Sequence, residues 1–136
     1  TQIFLCAIWN SFVMDWVLRQ KVTTTINFFY LYQLPIPRLE YPDPVFKSIV
    51  HRAARLICTT PEFDVLAKEV GLQDHCALDL AEQSNLRAEL DGLIAHLYGL
   101  TEDEFAHILG TFPLVPEPVK QAARNAYRDV ERGLIQ

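Results

Sequence analysis

Six polar side chains in one short run have the chemistry to meet a nucleic acid: Arg19, Lys21, Thr23, Thr24, Thr25 and Asn27. Arginine and lysine neutralise phosphates. Threonine hydroxyls bond to phosphate oxygens or base edges, and a carboxamide matches the paired donor and acceptor of adenine. The plainer alternative is structural: the threonines build a strand and Asn27 caps a turn. Arg38, Arg52 and Arg55 are lesser candidates, for which surface solvation is the simpler role.

Other constellations point less well to chemistry. A Mg²⁺-dependent nuclease needs an acidic residue followed by Glu-x-Lys or Asp-x-Lys, and no such triplet occurs, so Pro42-Asp43 reads as a turn. His75-Cys76 with Cys58 lacks the spaced cysteine pair around which a short turn wraps zinc. Glu104 and His107 sit three apart on an expected helix, but helical metal sites draw ligands from several helices, so a solvated face is the better reading. Cys76 beside His75 is the one local hint of a thiol nucleophile, and no surrounding motif supports it.

The elements that would position these residues are mainly helical, with one short β element in the N-terminal part. Ile3 to about Val22 reads as a helix apolar on most sides. Phe4, Ile8, Phe12 and Trp16 make one row, and Leu5, Trp9, Val13 and Val17 a second. Arg19-Gln20-Lys21 gives it a basic C-terminus. Val22 to Tyr32, rich in β-branched and aromatic residues, predicts an extended segment, stopped by Pro35 and Pro37. A boundary falls between about Leu34 and Pro44. It separates residues 1–40, a helix and then a strand, from a helical domain over 41–136.

Beyond it, Val45 to Ile57 carries Phe46, Ile49, Val50, Ala53, Ala54 and Ile57 on one face. Thr60-Pro61-Glu62 reads as a helix start and Gly71 as a stop. Leu72 to Glu82 shows no clear pattern. Leu86, Leu90, Leu93, Ile94, Leu97 and Tyr98 form a helical stripe ending at Gly99. Thr101 to Glu104 matches a capping box, followed by Phe105, Ile108, Leu109 and Phe112 at helical spacing. Pro116 to Arg132 reads as a last amphipathic helix, with Val119, Ala122, Ala123, Ala126, Tyr127 and Val130 inward.

Composition sets limits on function. The 136 residues are half hydrophobic and 21% charged, which is globular rather than disordered. The net charge of −5 argues against a strongly basic autonomous nucleic-acid binder. The charge is uneven, however. Through Arg55 six basic residues face three acidic ones, whereas from Leu56 onward six face fourteen, so a polyanion would meet the first part. Three cysteines, Cys6, Cys58 and Cys76, show no pairing pattern and suggest reduced thiols in the cytosol. Thr1 leads straight into an apolar stretch, as in a piece cut from a longer protein. That stretch is neither a signal peptide nor a membrane span, because Asn10, Ser11 and Asp15 interrupt it.

Two groups of segments carry a resemblance. The first is Asn10 to Trp16 followed by Arg19-Gln20-Lys21, Ile26 to Phe29 and Leu34-Pro35-Ile36-Pro37. The second is Arg87 to Asp91 followed by Tyr98-Gly99-Leu100-Thr101, Phe105 and Ile108-Leu109. Together they resemble the C-terminal region of bacterial restriction-modification proteins that fuse an adenine-specific DNA methyltransferase to a target-recognition domain. Type IIG restriction enzymes and phage-defence methyltransferases are the clearest members. The first group is also similar to the end of a recognition domain in type I specificity subunits. The resemblance covers about Asn10 to Arg38 and Arg87 to Phe112, and is weak between.

This resemblance implies a non-catalytic, cytoplasmic fragment that helps recognise double-stranded DNA for adenine methylation, with or without cleavage. Residues 1–40 would then be the end of the recognition region and 41–136 its helical support. The methyltransferase portion would precede it in the same chain, with the glycine-containing loop for S-adenosylmethionine and an Asn-Pro-Pro-Tyr-like tetrapeptide. Neither motif occurs here, so no cofactor, metal or methyl transfer is expected of these residues. The rival reading is a helical interaction or oligomerisation domain with no nucleic-acid role.

Overall fold

Asn10 and Ser11 divide the apolar N-terminal stretch into two helices in the computed structural model, which describes residues 1–72, 76–77 and 79–136. Helix α1 spans Gln2–Trp9 and α2 spans Phe12–Lys21. The single helix expected over 3–22 is thereby corrected, and side-chain competition for the backbone explains the break. Asn10 Nδ2 donates to the Cys6 carbonyl at 2.8 Å, closing α1. Ser11 is extended (φ −82°, ψ 153°), and its hydroxyl accepts from Met14 N at 3.2 Å as the N-cap of α2. The same hydroxyl donates to the Ile8 carbonyl at 2.7 Å. The break redirects the apolar rows: α1 buries Ile3, Phe4, Ala7 and Ile8, while Trp9 is left half exposed.

The expected β element is absent among the described residues. Residues 22–27 run as an irregular connection, and Phe28–Tyr32 form a short helix, α3. A strand needs a partner to satisfy its backbone groups. With none alongside, the local signal that prevails is Asn27, whose side chain accepts from Tyr30 N at 3.3 Å and caps α3.

The remaining helices are α4 Pro44–Ile57, α5 Asp64–Glu69 after a 3-10 turn at Pro61–Phe63, α6 Leu80–Leu97, α7 Glu102–Gly110 and α8 Glu117–Glu131. Asp43 caps α4 through bonds to Val45 N and Phe46 N. Thr60 and Pro61 open the 3-10 turn as expected, although Thr60 makes no side-chain cap bond. Gly71 and Gly99 stop their helices with φ of 67° and 69°, a left-handed geometry that favours glycine. The Thr101–Glu104 capping box forms in both directions. On α8, Ala123, Ala126 and Tyr127 turn inward, but Val119 lies half exposed, contrary to the expected face.

One hydrophobic core joins these helices. It takes Phe4 and Ile8 from α1, Met14 from α2, Ile49 from α4, Leu93 and Ile94 from α6, Phe105 and Leu109 from α7 and Tyr127 from α8. It therefore draws on both sides of the expected 34–44 boundary. Helix α6 sits at its centre, packing on α8, α4 and α2. Two phenols tie loops to this frame: Tyr98 Oη donates to the Pro35 carbonyl at 2.7 Å and Tyr127 Oη to the Leu100 carbonyl at 2.7 Å. Among the described residues no helix is long and apolar enough to cross a membrane.

Candidate functional site

The six residues singled out for DNA contact lie along one exposed run from the end of α2 to the start of α3, but they are not equivalent. Arg19 is engaged within its own helix. Its Nε lies 2.9 Å from Asp15 Oδ1 and its Nη2 3.2 Å from Asp15 Oδ2. Its guanidinium also stands 4.6 Å from the centre of the Phe112 ring. The hydrogen bond to Asp15 raises the Arg19 pKa above its ordinary value and offsets part of its field. Lys21, Thr23, Thr24 and Thr25 are exposed, and their side chains have no hydrogen bond or ion pair among the described residues. Asn27 is exposed too, with its carbonyl oxygen occupied by the cap of α3.

The lesser cations divide in the same way. Arg52 pairs with Glu89 at 2.6 Å and Arg55 pairs with Glu82, both largely covered, so these two fasten α4 to α6. Arg38 is exposed. Cys76 Sγ donates to the Cys58 carbonyl, and His75, the other half of the weighed zinc and thiol pairings, lies outside the described residues. Glu104 is committed to the capping box, and His107 is exposed on the same helix.

The sequence reading missed the aromatic character of this surface. Ile26, Phe28, Phe29 and Tyr32 all stand exposed, Phe28 at 72% and Tyr32 at 84%. The Phe28 and Tyr32 rings stack at a centroid distance of 6.1 Å, one helical turn apart. The β-branched and aromatic composition of Val22 to Tyr32 suggests a strand. The spacing of four between Phe28 and Tyr32 on a capped helix is the signal that would have found the shared face.

A second feature lies where the two resembling groups of segments meet. Phe12 N, at the first residue of α2, donates to Asp91 Oδ1 of α6 at 3.0 Å. The ring of Phe12 also packs edge-on against Phe112, with centroids 5.1 Å apart. Next to Asp91 opens a cleft of about 540 Å³ between α1, α2, α4, α6 and α8. Its walls are mostly apolar, with Asn10, Ser11, Arg87 and Asp91 as the polar lining. Burial pushes the Asp91 carboxyl up to about 7, opposed by the bond from Phe12 N.

Among the described residues no group of three or more His, Cys, Asp or Glu is placed to hold a metal ion. Comparison with protein-family models, with curated proteins and with solved structures found no match.

Proposed function

We propose that the chain is a non-catalytic part of an adenine-specific DNA methyltransferase of the restriction-modification kind, helping to hold double-stranded DNA through the run from Lys21 to Thr25. One observation carries the reading. Lys21 and three consecutive threonines stand exposed with no structural partner among the described residues, at the basic end of α2. A cation with adjacent hydroxyls is suited to tracking phosphates, which position a protein without reading sequence. The resemblance gives the methyltransferase context. Its two groups of segments touch through Phe12 and Asp91 and again through Pro35 and Tyr98, which makes them one packed unit. The residues present do not fit S-adenosylmethionine, because the sequence has neither the glycine loop after a strand nor the catalytic tetrapeptide. The methyltransferase portion of the parent chain would supply both.

The test is Lys21→Glu in the protein that carries this chain, with double-stranded DNA affinity measured over a range of salt. Affinity should fall several-fold at low salt, and the slope of log K against log salt should shrink by roughly one contact. Unchanged affinity at low salt would remove the reading.

A second reading is favoured by the exposed aromatics of α3. In it the chain is a helical interaction domain, and Ile26, Phe28, Phe29 and Tyr32 form the contact with another protein surface. Replacing Phe28 and Tyr32 separates the two readings, because it spares the cation and the hydroxyls.

A further inference from the structure

The cleft beside Asp91 has the make-up of a small-molecule site. Its volume falls within the range of ligand pockets, and apolar walls surround a few polar groups. Ala7, Phe12, Ala53, Leu56, Ile94 and Val119 supply most of the apolar wall. Of the two Asp91 oxygens, Oδ1 is taken by Phe12 N, while Oδ2 has no protein donor among the described residues. A carboxylate oxygen without a protein donor at the edge of an apolar cavity, and not shut off from solvent, is open to a donor from outside the protein, water or an ammonium.

Of the charged and titratable groups, Arg87 on α6 itself and Cys6 from α1 also line the cleft, whereas α2, α4 and α8 contribute none to the lining. Arg87 is exposed and forms no ion pair with Asp91, so solvent screens its charge. We propose that the cleft binds a small primary amine with a compact apolar body, its ammonium on Asp91 Oδ2 and its body against Phe12, Leu56 and Ile94. The inference is independent of DNA contact, since Lys21 and Thr23 to Thr25 do not line the cleft.

The test is titration of the chain with three probes of similar shape, 2-phenylethylamine, 3-phenylpropionate and n-propylbenzene, followed by amide chemical shifts. The amine should bind best and move the amides of residues lining the cleft. Its affinity should fall roughly tenfold or more between pH 8 and pH 5.5, as Asp91 takes up a proton. Asp91→Asn keeps an acceptor for Phe12 N, and should bring the affinity for the amine down to that for propylbenzene and abolish the pH dependence. Val119→Trp alters a half-exposed position at the cleft and should block entry without disturbing the core. Equal binding of the amine and propylbenzene, preference for the carboxylate, or shifts confined to other residues would each overturn the proposal.

Discussion

Gly92 of α6 lies so close to Ala126 of α8 that a Cβ at position 92 would stand 2.8 Å from the Ala126 carbonyl carbon and 2.8 Å from Tyr127 N. Both are backbone atoms and cannot swing aside as a long side chain would. Gly92→Ala gains about 1 kcal/mol of helix propensity but forces the two helices apart. The expected net result is a loss of about 1–3 kcal/mol, typical of overpacking, read by urea unfolding. A gain in stability would show that α6 and α8 have room to spare.

Asp91 sets a pH dependence opposite to that of most carboxylates. Burial raises its folded pKa to about 7, above its unfolded value, so the folded state holds the proton more tightly. The resulting stabilisation is full below about pH 4 and is lost as pH rises through about 7. Asp91→Asn should therefore stabilise the chain at pH 8 by on the order of a few kcal/mol and change little at about pH 3.5, below the unfolded pKa. Thermal melts at the two pH values check this, and parallel profiles for the two proteins would refute it.

Glu102 works in the other direction. At the start of α7 it accepts from Arg128 Nε at 2.8 Å and Nη2 at 2.5 Å, with Arg124 Nη2 at 3.5 Å. The hydrogen bond from Arg128 is the main cause that holds its carboxyl below the ordinary value. Its contribution is present above about pH 4.5 and lost as pH falls through the depressed value. Glu102→Gln should lower the melting temperature by about 1–2 °C at pH 7, and the gap should close near pH 3 and narrow in high salt.

Phe28→Ser with Tyr32→Ser should leave the melting temperature nearly unchanged, because both side chains are exposed and meet mainly each other. If α3 docks on another protein surface, the double variant loses that association while its salt-dependent DNA affinity stays. A large fall in melting temperature would instead place the two rings in the stabilising core.

The helices that carry their own punctuation were legible in the sequence. Thr101 with Glu104, Gly99 after a periodic stripe and Pro61 after Thr60 are local signals, and each sits where expected. Two local patterns, one of spacing and one of composition, are overridden by the fold. The apolar rows on either side of Asn10 and Ser11 keep helical spacing over 3–22 and read as one helix, yet these two side chains capture the backbone and turn it. Val22 to Tyr32 has strand composition, but strand formation depends on a neighbour that no local window contains. The exposed run from Lys21 to Thr25 was legible as polar chemistry. The engagement of Arg19 by Asp15 follows the four-residue spacing of a helix, whereas its contact with Phe112 does not. The cleft was invisible, because Asp91 and Phe12 stand 79 positions apart and only the packed fold brings them together.

The central position of α6, covered by α4 on one side and α8 on another, also grades how readily parts of the chain open. Amides in the middle of α6, near Leu93 to Ala95, should exchange with deuterium only when the whole molecule unfolds, since their residues are buried and their neighbours cannot part singly. The five residues of α3 bury no side chain and should exchange orders of magnitude faster. The surface that carries Lys21 and the aromatics is therefore free to change its conformation around a partner while the α6 scaffold stays closed.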